Sequence, residues 1–269
     1  MKNKKKIYIF TDLDGTILNS KSFNFKRIIP FIKKCHQNGI IIIPISSKTK
    51  IEIENFCKKL KIKLAFACEN GSAIYHLNLV NKDFPKEIIL GISKEKVEKK
   101  FRKEIKSLNK HNFDFVSKMS LKEKHKVLGI PNKDIKYALR RSFSILINYR
   151  GINKDKKKFI NYFKNKKIKI LEGGRVLQLS GNVNKSKAIK KILKLVKNNK
   201  DIIYTIGVGD NKNDIDMLET SDIGCLVLNK SFDNNIPKDK FIISKNIAPD
   251  GWVEVVKIAL KKIGFELNK

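Results

Sequence analysis

Cysteine is scarce in this chain and badly spaced for thiolate chemistry. Cys35, Cys57, Cys68 and Cys225 form no C-x-x-C pair and no secreted framework, so reduced, buried thiols in a cytoplasmic protein are expected. Histidine is equally thin: His36, His76, His111 and His125 never fall at ligand spacing, which leaves them as structural or surface residues. Arginine occurs only at positions 27, 102, 140, 141, 150 and 175, although the net charge is +33. Readers of base edges and nucleic-acid phosphates lean on arginine forks and aromatic platforms. Here the cation is lysine, dispersed over the whole chain without a block. The excess matches the amino-acid usage of an AT-rich genome, no specific nucleic-acid partner is expected, and any attraction to polyanions should fade with salt. Long apolar runs are missing too. The basic start, Met1 to Lys6, is followed by only a short apolar stretch before Asp12, too little for a signal core or a membrane span.

What is present suffices for a folded α/β protein. With 269 residues and 41% hydrophobic content, the chain can bury one large core or two modest ones. Short apolar runs alternate with helical patterns at both ends, which predicts a parallel sheet covered by helices. Strands are expected at Ile7–Phe10, Ile40–Ile45, Leu64–Ala67, Ile202–Val208, Ile223–Leu228 and Phe241–Ile243. Helices are expected at Pro30–Asn38, over the stripe Ile53, Phe56, Cys57, Leu60, and over Ile189, Ile192, Leu193, Val196. Between about Asp83 and Arg175 the grammar changes. Val97, Phe101, Ile105 and Leu108 mark a charged helix, Phe159, Ile160 and Phe163 another, and Ser144–Tyr149 and Val176–Leu179 read as strands. An inserted α+β unit is predicted, with one core domain closed from both ends of the sequence.

Ligands of open parallel sheets sit beyond the carboxyl ends of the strands. That rule selects Asp12 and Asp14, then Ser46, Ser47, Lys48 and Thr49, then Glu69 and Asn70, then Asp210, Asn213 and Asp214. Asp12 and Asp14 stand two residues apart ahead of Gly15, and two such carboxylates need a cation between them or a proton on one. A strand that ends in a polar turn would look much the same. The functional alternative is a nucleophile beside a proton donor, with magnesium bound. Ser46 offers a hydroxyl to a phosphate oxygen and reads equally as a helix cap. Lys185 opens the helix ahead of the Asp210 strand, where a phosphate would also meet the positive end of the helix dipole. Asp12, Asp14 and Asp210 together suit a hard cation such as Mg2+.

In order and spacing, Asp12-Leu13-Asp14-Gly15-Thr16, Ser46, Lys185 and Gly209-Asp210-Asn211-Lys212-Asn213-Asp214 resemble the four motifs of the haloacid-dehalogenase-like (HAD) phosphatases. The further segments Ser46-Ser47-Lys48-Thr49, Glu69-Asn70-Gly71, Gly173-Gly174-Arg175 and Asp250-Gly251-Trp252 look like the mannosyl-3-phosphoglycerate phosphatase family. Phe84-Pro85 and Leu90-Gly91-Ile92 extend the likeness into the insert. The resemblance implies a Rossmann-like parallel-sheet core, residues 1–82 and 176–269, with a C2-type α+β cap over residues 83–175 that closes on the substrate. It also implies magnesium-dependent hydrolysis of 2-O-mannosyl-3-phosphoglycerate to mannosylglycerate, a compatible solute, and phosphate. Asp12 would become the aspartyl phosphate, Asp14 would act as acid and then base, and Ser46 and Lys185 would hold phosphoryl oxygens. Asp210 would complete the metal site with Asp12 and the Asp14 carbonyl, while Asp214 orients Lys185 or a metal-bound water. Arg175 suits the glycerate carboxylate, and a surface turn equally well.

The sequence departs from that family at two places in the half that reads substrate. Val176, Leu177 and Gln178 stand where an aromatic pair and a histidine are usual, and Ile145 and Leu146 replace an acidic-proline pair. A glucosyl-3-phosphoglycerate or a broader range of sugar phosphates are therefore the alternatives within the superfamily. A basic nucleic-acid binder on a degenerate phosphatase scaffold is the alternative outside it. Oligomeric state is not legible in the sequence.

Overall fold

The computed structural model describes residues 5–106, 112–173, 175–197, 201–229 and 238–268. His111, Leu108 and Gly174 lie outside the described residues. From the amino end come β1 (Lys5–Thr11), α1 (Ile29–Gln37), β2 (Ile41–Pro44), α2 (Lys50–Leu60), β3 (Phe66–Cys68), β4 (Ala73–Tyr75) and β5 (Glu87–Ile89). The insert supplies α3 (Lys94–Ile105), β6 (Phe113–Phe115), α4 (Leu121–Leu128), α5 (Asn132–Ala138), β7 (Ser144–Tyr149), α6 (Asn153–Tyr162), β8 (Lys169–Glu172) and β9 (Leu177–Ser180). The chain ends through α7 (Lys185–Val196), β10 (Ile202–Gly209), α8 (Ile215–Thr220), β11 (Ile223–Leu228), β12 (Ile242–Ile247) and α9 (Asp250–Lys262).

Five parallel strands form the main sheet in the order β12-β11-β10-β1-β2. Successive side chains of a strand face opposite sides, and β1 uses both. Ile7 and Ile9 pack with Ile32, Phe56 and Trp252 on one face; Tyr8 and Phe10 pack with Ile189, Ile192 and Leu218 on the other. The chain runs outward from β1 to β2 on one side and later to β10 on the other, so the switch point lies between β1 and β10. Pro44 is tolerated because β2 is the edge of this sheet.

The expected third strand differs. It spans Phe66–Cys68, meets the main sheet through a single parallel bridge, Ile45 to Ala67, and pairs antiparallel with β4. Its physical cause is the turn that follows: Glu69, Asn70 and Gly71 have φ of 47°, 59° and 88°, and three left-handed residues in succession fold the chain straight back.

The insert builds its own antiparallel sheet, β6-β7-β9-β8, with a core of Val97, Phe101, Ile147, Phe163 and Leu179. Pairing carries two strands across the boundaries expected at residues 83 and 175. β5 pairs with β4 beside the core, and β9 pairs with β7 and β8 in the insert. The two crossings lie side by side, since a Cβ on Gly181 would stand 3.0 Å from the Ile92 side chain.

Burial pushes the thiols of Cys35, Cys68 and Cys225 up to about 12, and all four cysteines are free. No helix among the described residues is long and apolar enough to cross a membrane.

The single tryptophan ties α9 to the strand that carries Asp12. Trp252 is fully buried, stands edge-on to Phe31 at 6.0 Å, and donates its indole N–H to Thr11 Oγ1 at 3.1 Å. Trp252→Ala is expected to cost about 3–5 kcal/mol through the cavity it opens, read as a lower denaturant midpoint by circular dichroism; a loss under 1 kcal/mol would contradict this packing.

Candidate active site

The carboxyl ends of β1 and β10 bring their aspartates together at the switch point. Asp12 is held by its own N–H, donated to the Val208 carbonyl at 2.9 Å. Gly15 follows at φ 79°, and a side chain there would collide with the Asp210 carboxylate; glycine is required for the turn and for the close approach alike. The Thr16 hydroxyl donates to Asp210 Oδ1 at 2.9 Å and the Asn229 amide to Oδ2 at 2.6 Å.

Behind this pair, α7 begins with Lys185. Asn184 caps the helix, its side chain accepting from the Lys187 N–H. The Lys185 ammonium is buried and lies 2.7 Å from Asp12 Oδ1, an ion-pair contact, and 2.5 Å from Asp214 Oδ1. Burial pulls its pKa down, and the two carboxylates more than offset that, so it stays charged. Asp214 is fully committed: its Oδ2 accepts the Asp210 and Asn211 N–H groups, both at 3.0 Å.

Asp12, Asp210 and Asp214 each offer an oxygen within 4.8 Å of the others. The set expected for the metal was Asp12, Asp210 and the Asp14 main-chain carbonyl, with Asp214 in a supporting place. The Asp14 side chain lies against Lys48, 2.9 Å away. Since Asp214 already serves three donors, Asp12 and Asp210 are the carboxylates a metal would take, and their oxygen chemistry fits a hard divalent ion. Burial raises the Asp210 pKa well above the usual carboxylate range, with Asp214 and Asp12 adding to it. Burial also raises Asp14 despite the opposing pull of Lys48, and Asp12 contributes in the same direction.

A cleft of about 620 Å³ opens between these strand ends and the insert. Of the expected residues, Asp12, Asp14, Asp210 and Asn213 line its floor, and Ser47, Lys48, Asn70 and Arg175 line its walls. Four stand behind the surface: Ser46, Glu69, Lys185 and Asp214. Ser46 is fully buried, and its Oγ accepts from the Lys48 N–H at 3.4 Å. It does not cap α2; Thr49 does, in a capping box with Glu52.

Glu69 was expected at the substrate. Its Oε1 accepts the Ser142 N–H at 2.9 Å, and its Oε2 accepts the Phe143 N–H at 3.1 Å and the Ser144 hydroxyl. A buried carboxylate with three donors from the insert is a fastener between the two units. Arg175 is exposed, and its Nη1 donates to the Leu128 carbonyl at 2.7 Å.

Sequence reasoning missed Arg141 on the cleft wall and Asn229 on Asp210, and marked Gln178, also on the wall, only as a departure from the family pattern. Asn229 directly follows the β11 strand, so the strand-end rule applied once more would have found it. Nothing in the spacing marks Arg141.

An inserted unit over a carboxylate centre at the switch point of a parallel sheet defines a capped α/β enzyme. The chain belongs to the haloacid dehalogenase-like hydrolases, whose family model matches residues 9–255. It is 30% identical over 267 residues, 95% of this chain and 97% of the relative, to the glucosyl-3-phosphoglycerate/mannosyl-3-phosphoglycerate phosphatase of Persephonella marina. It is also 30% identical over 254 residues, 88% of this chain and 98% of the relative, to the mannosyl-3-phosphoglycerate phosphatase of Pyrococcus furiosus. Its fold is similar to that of a haloalkanoate-superfamily phosphatase from Bacteroides thetaiotaomicron, with a TM-score of 0.69 at 12% identity, covering 98% of this chain and 96% of that one.

The charge balance has a testable side. Without metal, native Asp210 binds its proton more tightly than the unfolded chain does, so this contribution to stability is fully present below the ordinary carboxylate value and lost as pH rises through the raised folded pKa. In chelator, the melting temperature should therefore rise as pH is lowered from neutral towards mildly acidic values. Asp210→Asn should raise the chelated melting temperature at pH 7 and remove the stabilisation that Mg2+ gives the parent chain; an unchanged response to Mg2+ would exclude Asp210 as a ligand.

Proposed function

We propose that this chain is a phosphatase that uses Mg2+ to hydrolyse a 2-O-glycosyl-3-phosphoglycerate, mannosyl or glucosyl, through an aspartyl-phosphate intermediate. The observation that carries the reading is the unequal treatment of two neighbouring carboxylates. Asp12 lines the cleft floor and lies 2.7 Å from the buried Lys185 ammonium, a fixed positive charge beside the place where a nucleophile and a phosphoryl group would meet. Asp14 also meets an ammonium, that of Lys48, yet burial, with Asp12 adding to it, outweighs that pull and raises its pKa, which favours the protonated form that an acid must have.

The Asp12 oxygen attacks phosphorus in line, and the bond from phosphorus to the glycerate oxygen breaks as Asp14 gives that oxygen its proton. Asp14, now a carboxylate, takes a proton from water, whose oxygen attacks the aspartyl phosphate; phosphate leaves and the Asp12 carboxylate is restored. Lys185 offsets the negative charge beside Asp12 through both steps, and Asp214 holds Lys185 in position. The Asp12 and Asp210 carboxylates with the Asp14 carbonyl would hold Mg2+, which supplies charge neutralisation for the phosphoryl oxygens. Asn213 has a buried Oδ1 without a partner on the cleft floor, and it supports this polar end. Ser47 and Lys48 face the cleft where Ser46 does not, so they are the strand-end groups positioned for the ester.

The small phosphorylated sugar-glycerate substrate follows from the names of the relatives, one of which carries both sugars. Val176, Leu146 and Gln178 line the cleft at the positions where the sequence departs from the family pattern, so the sugar is where this chain has room to differ. The convergence of the β1 and β10 ends on one acid centre favours catalysis over a basic scaffold for nucleic acid.

Asp12→Asn should reduce Mg2+-dependent phosphate release to background while circular dichroism stays native, and retained turnover would end the reading. Asp14→Asn should lower kcat by roughly 10²–10⁴-fold, the usual worth of a general acid. Turnover compared over mannosyl-3-phosphoglycerate, glucosyl-3-phosphoglycerate and simple hexose phosphates should favour the glycerate esters; equal rates throughout would point to a broad sugar phosphatase.

A further inference from the structure

Four cations line the cleft among the described residues: Lys21, Lys48, Arg141 and Arg175. Lys21 is exposed at the rim. Lys48 is engaged by Asp14 at 2.9 Å and Glu52 at 3.6 Å. Arg175 is exposed and gives Nη1 to the carbonyls of Leu128 and Gly129, at 2.7 and 3.3 Å. Arg141 differs from all three, because only 8% of its side chain is exposed and part of its fork is unspent.

A guanidinium carries five N–H donors in one plane. In Arg141, Nη1 and Nη2 both donate to the Ser47 carbonyl, at 3.2 and 3.1 Å, which occupies the end-on edge. The second Nη1 donor goes to Ser144 Oγ at 2.9 Å. Two donors are left, on Nε and Nη2. They lie on the side edge, parallel and spaced for the two oxygens of a carboxylate. Nε is buried without a partner, and buried charged donors are rarely left so. Glu69 approaches only Nη1, at 3.9 Å.

Asn70 and Gln178 on the same cleft wall offer something different. Asn70 Nδ2 donates to Gln178 Oε1 at 3.0 Å, while Asn70 Oδ1 and Gln178 Nε2 are buried and unpartnered. Reversing both amides would exchange the roles and still leave one donor and one acceptor. That combination suits a hydroxyl, which donates and accepts, and does not suit an anion.

We propose that Arg141 is the carboxylate anchor of the cleft, taking the substrate's carboxylate on its Nε and Nη2 edge while Asn70 and Gln178 take a hydroxyl. This wall then selects phosphate esters of hydroxy acids over those of neutral polyols, and Arg175, the candidate from sequence, is not the anchor. The inference rests on the phosphatase reading and specifies its substrate class.

The test uses two esters that differ at the carboxylate, 3-phosphoglycerate and glycerol 3-phosphate, with p-nitrophenyl phosphate as a simple ester. The parent chain should prefer 3-phosphoglycerate in kcat/KM by roughly 10–100-fold, the worth of hydrogen bonds to a charged group. Arg141→Met should collapse that ratio towards one, mostly through KM, and Arg141→Lys, a point charge without a fork, should give an intermediate ratio. A parent ratio near one, or a ratio that persists in Arg141→Met, overturns the anchor. Should Arg141→Met not fold, the parent ratio and Arg141→Lys decide. If the parent hydrolyses none of the three esters, phosphate release from mannosyl- and glucosyl-3-phosphoglycerate decides the phosphatase reading by itself, and that reading falls if these too are untouched. Binding of D-glycerate against glycerol to the parent chain, by calorimetry, then decides the anchor separately: preference for glycerate supports it and indifference overturns it.

Discussion

The ammonium of Lys185 is the charge around which this site is assembled. It sits in the first turn of α7, at the positive end of a helix dipole, and almost no water reaches it. Neither fact favours a cation. Asp12 and Asp214 reverse the balance, and they come from opposite sides of the switch point, one from the end of β1 and one from the turn after β10. The two strands and the helix must therefore converge to within ion-pair distance before the core can close, and breaking such a buried set by removing one partner costs on the order of 3–5 kcal/mol. The same convergence leaves Asp12 beside a fixed positive charge and Asp210 beside repelling carboxylates, which is the electrostatic asymmetry that phosphoryl chemistry uses.

The cap is joined to this centre by polar bonds as well as by chain crossings. Glu69 receives the backbone of Ser142 and Phe143, Arg141 grips the Ser47 carbonyl, and Thr49 donates to the Tyr137 carbonyl. All of these lie along one seam between the α2 entry turn and the start of β7. Buried polar groups of this kind fix one relative arrangement, since each is costly when unmet. The charged floor belongs to the core strands, whereas much of the upper wall belongs to the insert.

Much of this was legible in the amino-acid sequence. β1, α7 and β10 announce themselves as apolar runs and a helical stripe; the strand-end rule led from the strands to Asp12 and Asp210, and the helix start ahead of β10 led to Lys185. What it could not supply was the competition among side chains. Asp14 and Asp214 both read as acids near a metal, but Lys48 draws one of them away and Lys185 with two backbone N–H groups saturates the other. Ser46 and Glu69 sit at strand ends as expected and point into protein rather than cleft, because backbone turns decide that and leave little trace in residue type. Arg141 was hidden for a different reason: its significance lies in which of its donors are already taken, a property of the folded state alone.

The turn Glu69-Asn70-Gly71 shows how closely these roles are packed. Glu69 reaches the cap backbone, Asn70 reaches Gln178 on the cleft wall, and Gly71 lies where a Cβ would stand 2.5 Å from the carbonyl of Asn184, the cap of the Lys185 helix. Three consecutive residues thus touch the insert, the cleft wall and the start of the Lys185 helix in turn. Such a segment has no slack for insertion or deletion, since a shift of one position would misalign all three partners at once. A side-chain change on β7 or β9, by contrast, alters the cleft wall at Leu146 or Gln178 and leaves the backbone register of the sheet as it is.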